Sequence, residues 1–140
     1  MEWYVDAENV EDVRQSRHEF AAYLSARAAA GSDIGAAEVV YSELVGNVHR
    51  HVGGAAWVRL DWVGDCPVLA VRDLGPGFIP AARATVDPDS PGGRGLYLVR
   101  RLAGEITVSH DATGTCVSVN LPVRRRGEPA RSYESATLKS

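Results

Sequence analysis

Three polar residues recur at a single helical spacing near the middle of the chain. Glu43, Asn47 and His51 stand at i, i+4 and i+8, so a helix aligns them along one ridge. Ala37, Tyr41, Leu44 and Val48 repeat beside them with the period of a buried helix face. A carboxylate and a carboxamide at the border of a core are costly unless something binds them. Alone, this ridge also fits the solvated flank of an amphipathic helix. Two glycine clusters lie downstream. In Asp73-Leu74-Gly75-Pro76-Gly77, glycine at every second position lets backbone approach a ligand with no Cβ in the way. Asp73, at a strand end, could accept a hydrogen bond from an exocyclic amine such as that of a purine, although a plain tight turn has the same pattern. In Gly92-Gly93-Arg94-Gly95-Leu96, glycines precede a helix, whose unpaired N–H groups and positive dipole end make a natural phosphate seat. Arg94 could add a direct phosphate contact. Neither cluster has the third glycine of the dinucleotide fingerprint, and the Walker lysine motif is absent.

The elements that must position these residues follow from pattern. Glu2 to Asp6 reads as a short edge strand. Asn9 is placed to cap a first helix with Glu11 and Asp12 in its first turn, an apolar stripe of Val13, Phe20, Leu24 and Ala28, and a stop at Gly31. Asp33 can cap the second helix, residues 34–52, which Gly53-Gly54 ends. Residues 57–63 and 68–72 read as strands around a Gly64-Asp65 turn. Residues 74–91 hold four prolines and read as loop, and residues 95–102 as a third helix with Leu96, Val99 and Leu102 on one side. Residues 105–109 and 115–123 form a last strand pair. Strands and helices mix without strict alternation. That predicts an α+β fold, a two-layer sandwich of a mixed sheet covered on one face by helices. Residues 1–123 are expected to form one domain, and the polar, unpatterned residues 124–140 a mobile tail.

Bulk properties narrow the function classes. The 140 residues suffice for a core, and 45% hydrophobic with 24% charged residues is the profile of a soluble globular protein. A net charge of −3 argues against direct, sequence-independent binding to nucleic acid, which needs a basic surface. Cys66 and Cys116 are too few for a disulfide framework and lack metal-site spacing, so they read as ordinary strand or core residues in a reducing compartment. No signal peptide and no membrane-spanning apolar run is visible, which predicts a cytoplasmic protein.

Glu-x-x-x-Asn on a helix, Asp-x-Gly-x-Gly after a strand and Gly-x-Gly-Leu before a helix form a specific ordered set. It resembles the GHKL ATP-binding family of gyrase-type topoisomerases, histidine kinases and anti-sigma serine kinases. The resemblance covers residues 39–121, and Gly114-Thr115 matches the family's late Gly-Thr strand. It implies ATP and Mg²⁺ as ligands. Asn47 would coordinate the metal; Asp73 would bind the adenine amine with Thr115 in support; Gly75 and Gly77 would admit the base and sugar. Gly93, Arg94, Gly95 and Leu96 would cradle the phosphates, and residues 78–92 would be a short ATP lid. With no phospho-accepting helix or sensor in the sequence, and His18 lacking the acidic neighbour of such a site, the chain looks most like the stand-alone anti-sigma factor serine kinases and their actinobacterial relatives. That branch implies an ATP-dependent serine/threonine kinase that sequesters a sigma factor and phosphorylates an anti-sigma antagonist, with Glu43 as general base. A non-catalytic ATP-binding switch and a detached histidine-kinase-like catalytic domain are the alternatives. Residues 10–29 are a candidate surface for a homodimer or for the sigma factor. Gly46 departs from the Thr or Ser of relatives, at a helix-propensity cost of up to about 1 kcal/mol relative to Ala. Arg17 reads as a surface arginine, His51 as a structural hydrogen-bonding residue, and His49, His110 and Arg124-Arg125-Arg126 as solvated.

Overall fold

The computed structural model describes residues 1–51, 53–73, 93–111 and 114–127. Along the chain run β1 (Glu2–Asp6), α1 (Val10–Arg27), α2 (Ile34–His51), β2 (Ala55–Val63), β3 (Cys66–Asp73), α3 (Gly93–Ala103), β4 (Ile106–Asp111) and β5 (Gly114–Asn120). The first two helices begin where their caps require. Asn9 Oδ1 accepts the N–H groups of Glu11 at 3.0 Å and Asp12 at 3.1 Å. Asp33 Oδ1 accepts that of Ala36 at 2.9 Å. Each contact satisfies a donor that the helix start leaves unpaired.

The expected α+β sandwich is present, with strand order β1-β2-β3-β5-β4. The sheet differs from expectation in one respect: every pairing among the described residues is antiparallel, so it is not mixed. Two helices between β1 and β2 return the chain so that β2 runs against β1. One described helix separates β3 from β4, and those strands do share a direction, but β5 inserts between them and the parallel pair never forms. Strand order is a long-range property that local patterning does not carry.

Burial alternates strictly along β3, so Leu69, Val71 and Asp73 face the helices while Ala70 and Arg72 face away. The core joins Val5, Val58, Leu60, Leu69, Val71 and Val119 of the sheet to Phe20 and Leu24 of α1, the α2 face Ala37, Val40, Tyr41, Leu44, Val45 and Val48, and Val99 of α3. The apolar stripe expected on α2 is thus the one buried. Tyr4 stacks on Trp57, ring centroids 5.6 Å apart, on the open side of the sheet. Cys66 and Cys116 are free thiols on strands. No helix among the described residues is long and apolar enough to cross a membrane.

Past Val123 the backbone is stitched to distant segments. Ala29 N–H donates to the Arg124 carbonyl at 2.6 Å, Arg125 N–H to Asp65 at 2.7 Å and Arg126 N–H to Arg27 at 2.7 Å. The Arg126 guanidinium donates to the Ala26 carbonyl at 2.8 Å. Residues 128–140 of the expected tail lie outside the described residues.

Candidate functional site

The apolar face of α2 draws polar neighbours down with it. Asn47 lies between Leu44 and Val48, both seated on the sheet, and is only 7% exposed. Asp73, the last residue of β3, is 4% exposed, and Thr115, at the start of β5, 1%. Asn47, Asp73 and Thr115 line one small cavity with Leu44, Val48, Val71 and Val117. Its volume, about 20 Å³, is enough for a water. A buried carboxylate, carboxamide and hydroxyl converging from three elements is an arrangement a plain core avoids, because desolvated polar groups are costly. Asn47 sharpens the point: its Nδ2 is buried with no hydrogen-bond partner among the described residues. Such an orphaned donor costs about 1–3 kcal/mol, which a ligand acceptor would recover.

β5 closes on Asp73 through Gly114. A Cβ there would stand 2.9 Å from the Asp73 carboxylate and collide with its backbone carbonyl, and φ of +143° is a conformation other residues rarely adopt. Gly114-Thr115 figured in the sequence only as a matching pair. The close approach to Asp73 is the physical reason for the glycine. Thr115 Oγ1 lies 3.3 Å from Nδ1 of His110, an exposed residue of β4 that no sequence signal connects to the site.

Glu43 sits one turn before Asn47 with its side chain 28% exposed, open to solvent and outside the lining of the cavity. Arg50 joins the two, a contact that sequence reasoning missed. Its Nη2 donates to Asn47 Oδ1 at 2.7 Å and stands 3.6 Å from Glu43 Oε1. Its spacing from Asn47, one turn along the helix, is the only signal that could have found it. Gly46 now has an account: a Cβ would meet Arg50 Nη1 at 3.1 Å, so the bare backbone leaves room for the guanidinium.

The other expected site residues are less complete. Gly93, Arg94, Gly95 and Leu96 form the first turn of α3, which packs against α2; the side chains of Arg94, Leu96 and His51 lie outside the described residues. Gly75, Gly77 and the proposed lid, residues 78–92, also lie outside them. Arg17 reaches Ser42 on α2 at 3.5 Å, a cross-helix contact away from the cavity. His49 pairs with Glu8 at 3.2 Å on the surface. Among the described residues, no group of three or more His, Cys, Asp or Glu could hold a metal ion. Mg²⁺ does not need one: it keeps several waters and takes one or two protein oxygens besides phosphates, and the hard Oδ1 of Asn47 suits that role.

The histidine kinase-like ATPase domain family matches residues 7–121. The chain belongs to that family, and ATP is the ligand its membership assigns. No curated protein matches the chain. Among solved structures, full-length ShkA in complex with AMPPNP is similar over 84% of this chain, with a TM-score of 0.59 and 17% identity. The histidine kinase domain of the blue-light activated histidine kinase EL346 from Erythrobacter litoralis aligns over 64%, with a TM-score of 0.46 and 23% identity. This chain spans 30% of the first of those chains and 44% of the second. The likeness to ShkA shows the fold.

Proposed function

We propose that the protein is an ATP-dependent serine/threonine kinase acting on a protein antagonist, and that it regulates transcription by sequestering a sigma factor that the same antagonist releases. The carrying observation is the convergence of buried Asn47, Asp73 and Thr115 on one cavity, with the partly exposed Glu43 one turn before Asn47 on the same helix and tied to it through Arg50. In this reading Asp73 accepts the adenine amine and Thr115 supports it. The first turn of α3 donates N–H groups to phosphate. Asn47 Oδ1 holds Mg²⁺, which when bound neutralises charge on the phosphates. Glu43 takes the proton of an incoming serine hydroxyl as the serine oxygen bonds to the γ-phosphorus and the bridging oxygen departs with ADP.

A second reading, a nucleotide-gated binding module that transfers no phosphate, is favoured by one contact. Arg50 stands against Glu43 at 3.6 Å and engages the carboxylate that a substrate hydroxyl would need. Incubation with γ-labelled ATP and a candidate antagonist separates the two. The kinase reading expects label on serine or threonine that is lost, by about 10²-fold or more, in Glu43→Ala. Tight nucleotide binding with no label on any partner would establish the binding module instead, and acid-labile label would indicate transfer to histidine.

A further inference from the structure

Arg50 occupies the oxygen that the reading above gives to the metal. Its Nη2 donates to Asn47 Oδ1 at 2.7 Å, within the range of a charge-assisted hydrogen bond. The same nitrogen stands 3.6 Å from Glu43 Oε1. The guanidinium reaches both by crossing position 46, where a Cβ would meet Nη1 at 3.1 Å. Two turns of helix, residues 43–50, therefore carry a carboxylate, a gap, a carboxamide and a cation that lies over the gap, hydrogen-bonded to the carboxamide and ion-paired with the carboxylate.

Two cations do not share one carboxamide oxygen comfortably. A guanidinium hydrogen-bonded to Oδ1 and a divalent ion bonded to it would stand a few ångströms apart and repel, most strongly where protein excludes water. Asn47 is buried, so that repulsion is weakly screened. The exposed Arg50 end of the contact can move into solvent, since its side chain is 39% exposed. Asn47 cannot.

We infer that Arg50 is a resident cation at the metal seat: it orients Asn47 and Glu43, competes with Mg²⁺ for Asn47 Oδ1, and so sets how much Mg²⁺ nucleotide binding requires. Gly46 is the residue that makes room for it. Arg50 acts as a positioning residue, through Asn47. The inference rests on the assignment of Asn47 as metal ligand under the proposed function.

The test is calorimetric titration of the full chain with a non-hydrolysable adenine nucleotide across a series of Mg²⁺ concentrations, with release of free Mn²⁺ followed by electron paramagnetic resonance as a direct metal readout. Arg50→Met keeps the aliphatic stem and removes the charge. It lowers the Mg²⁺ concentration for half-maximal nucleotide binding by about three- to tenfold, the scale of one charge-assisted contact at a partly exposed site. Gly46→Ala, which pushes on the far end of the same flexible side chain, shifts the midpoint the same way by a smaller factor. It also decides the question should Arg50→Met fold poorly. Arg50→Lys, which keeps the charge, stays nearer the wild type. An unchanged or raised midpoint in Arg50→Met overturns the inference. A uniform loss of nucleotide affinity at every Mg²⁺ concentration also overturns it, since that marks a simple phosphate contact. If the wild-type chain binds no adenine nucleotide at any Mg²⁺ concentration, the functional reading itself fails and the inference with it. Wild-type binding with an unmoved Arg50→Met midpoint sinks the inference alone.

Discussion

Tyr41 and Asn47 are both polar, both on α2 and both buried, yet their surroundings differ in kind. The Tyr41 hydroxyl donates to Ser16 Oγ at 2.5 Å, and Ser16 Oγ donates to the Val13 carbonyl at 3.0 Å, a closed chain between α1 and α2. Phe20 packs on the Tyr41 ring with centroids 4.7 Å apart. Every polar atom there has a partner within the protein. Asn47 has one satisfied end, Oδ1 on Arg50, and one end, Nδ2, with no partner among the described residues. Burial of a polar group therefore does not distinguish scaffold from site in this protein. Between these two side chains, completeness of hydrogen bonding among the described residues does.

That contrast can be broken most directly at Asn47. Asn47→Ala is expected to lower Mg²⁺-dependent nucleotide affinity by about a hundredfold or more, roughly 3 kcal/mol, while shifting stability by no more than about 1 kcal/mol, because Nδ2 has no partner among the described residues and the partly exposed Arg50 that loses Oδ1 can turn to water. Tyr41→Phe should do the reverse, costing about 1 kcal/mol in chemical denaturation and leaving nucleotide affinity unchanged. Calorimetry beside urea melts reads both, and equal effects of the two substitutions on binding would erase the distinction.

A smaller effect is expected on raising the pH. Burial holds the Tyr41 hydroxyl up at about 12, against an ordinary 10.0. Between those values the unfolded chain releases a proton that the folded chain keeps, so stability falls as pH rises from 10 through 12, by on the order of 2 kcal/mol. Tyr41→Phe should flatten that part of the stability profile. A profile identical in both proteins would show that the buried hydroxyl is not its source. Smallest is Gly46→Ala. Helix propensity favours it by up to about 1 kcal/mol, and only the flexible end of Arg50 must give way. A raised melting temperature is expected; a lowered one would mean Arg50 is held too rigidly to yield.

Much of this frame was legible in the sequence. The caps Asn9 and Asp33 and the α2 stripe Ala37, Tyr41, Leu44 and Val48 are local signals, and local hydrogen bonding and periodicity determine them. The convergence of Asn47, Asp73 and Thr115 was legible only through a family resemblance, since no local rule states that β5 will lie beside β3. For the same reason the sheet was expected to be mixed. Arg50 stayed hidden because a charge near the end of an amphipathic helix usually faces water, and its contacts depend on a rotamer. His110, also taken as solvated, differs from that reading only through its contact with Thr115 across the β4–β5 pair.

The stitching of residues 124–126 onto the segment around residues 26–32 carries a consequence for synthesis. Ser32 and Arg124 bond across 92 positions, and Arg126 and Ala26 across 100. A nascent chain emerging N-terminus first can form the α1–α2 hairpin early, because its contacts are short-range. The connection between those helices stays unfastened until residues 124–126 have left the ribosome, long after both helices can have formed.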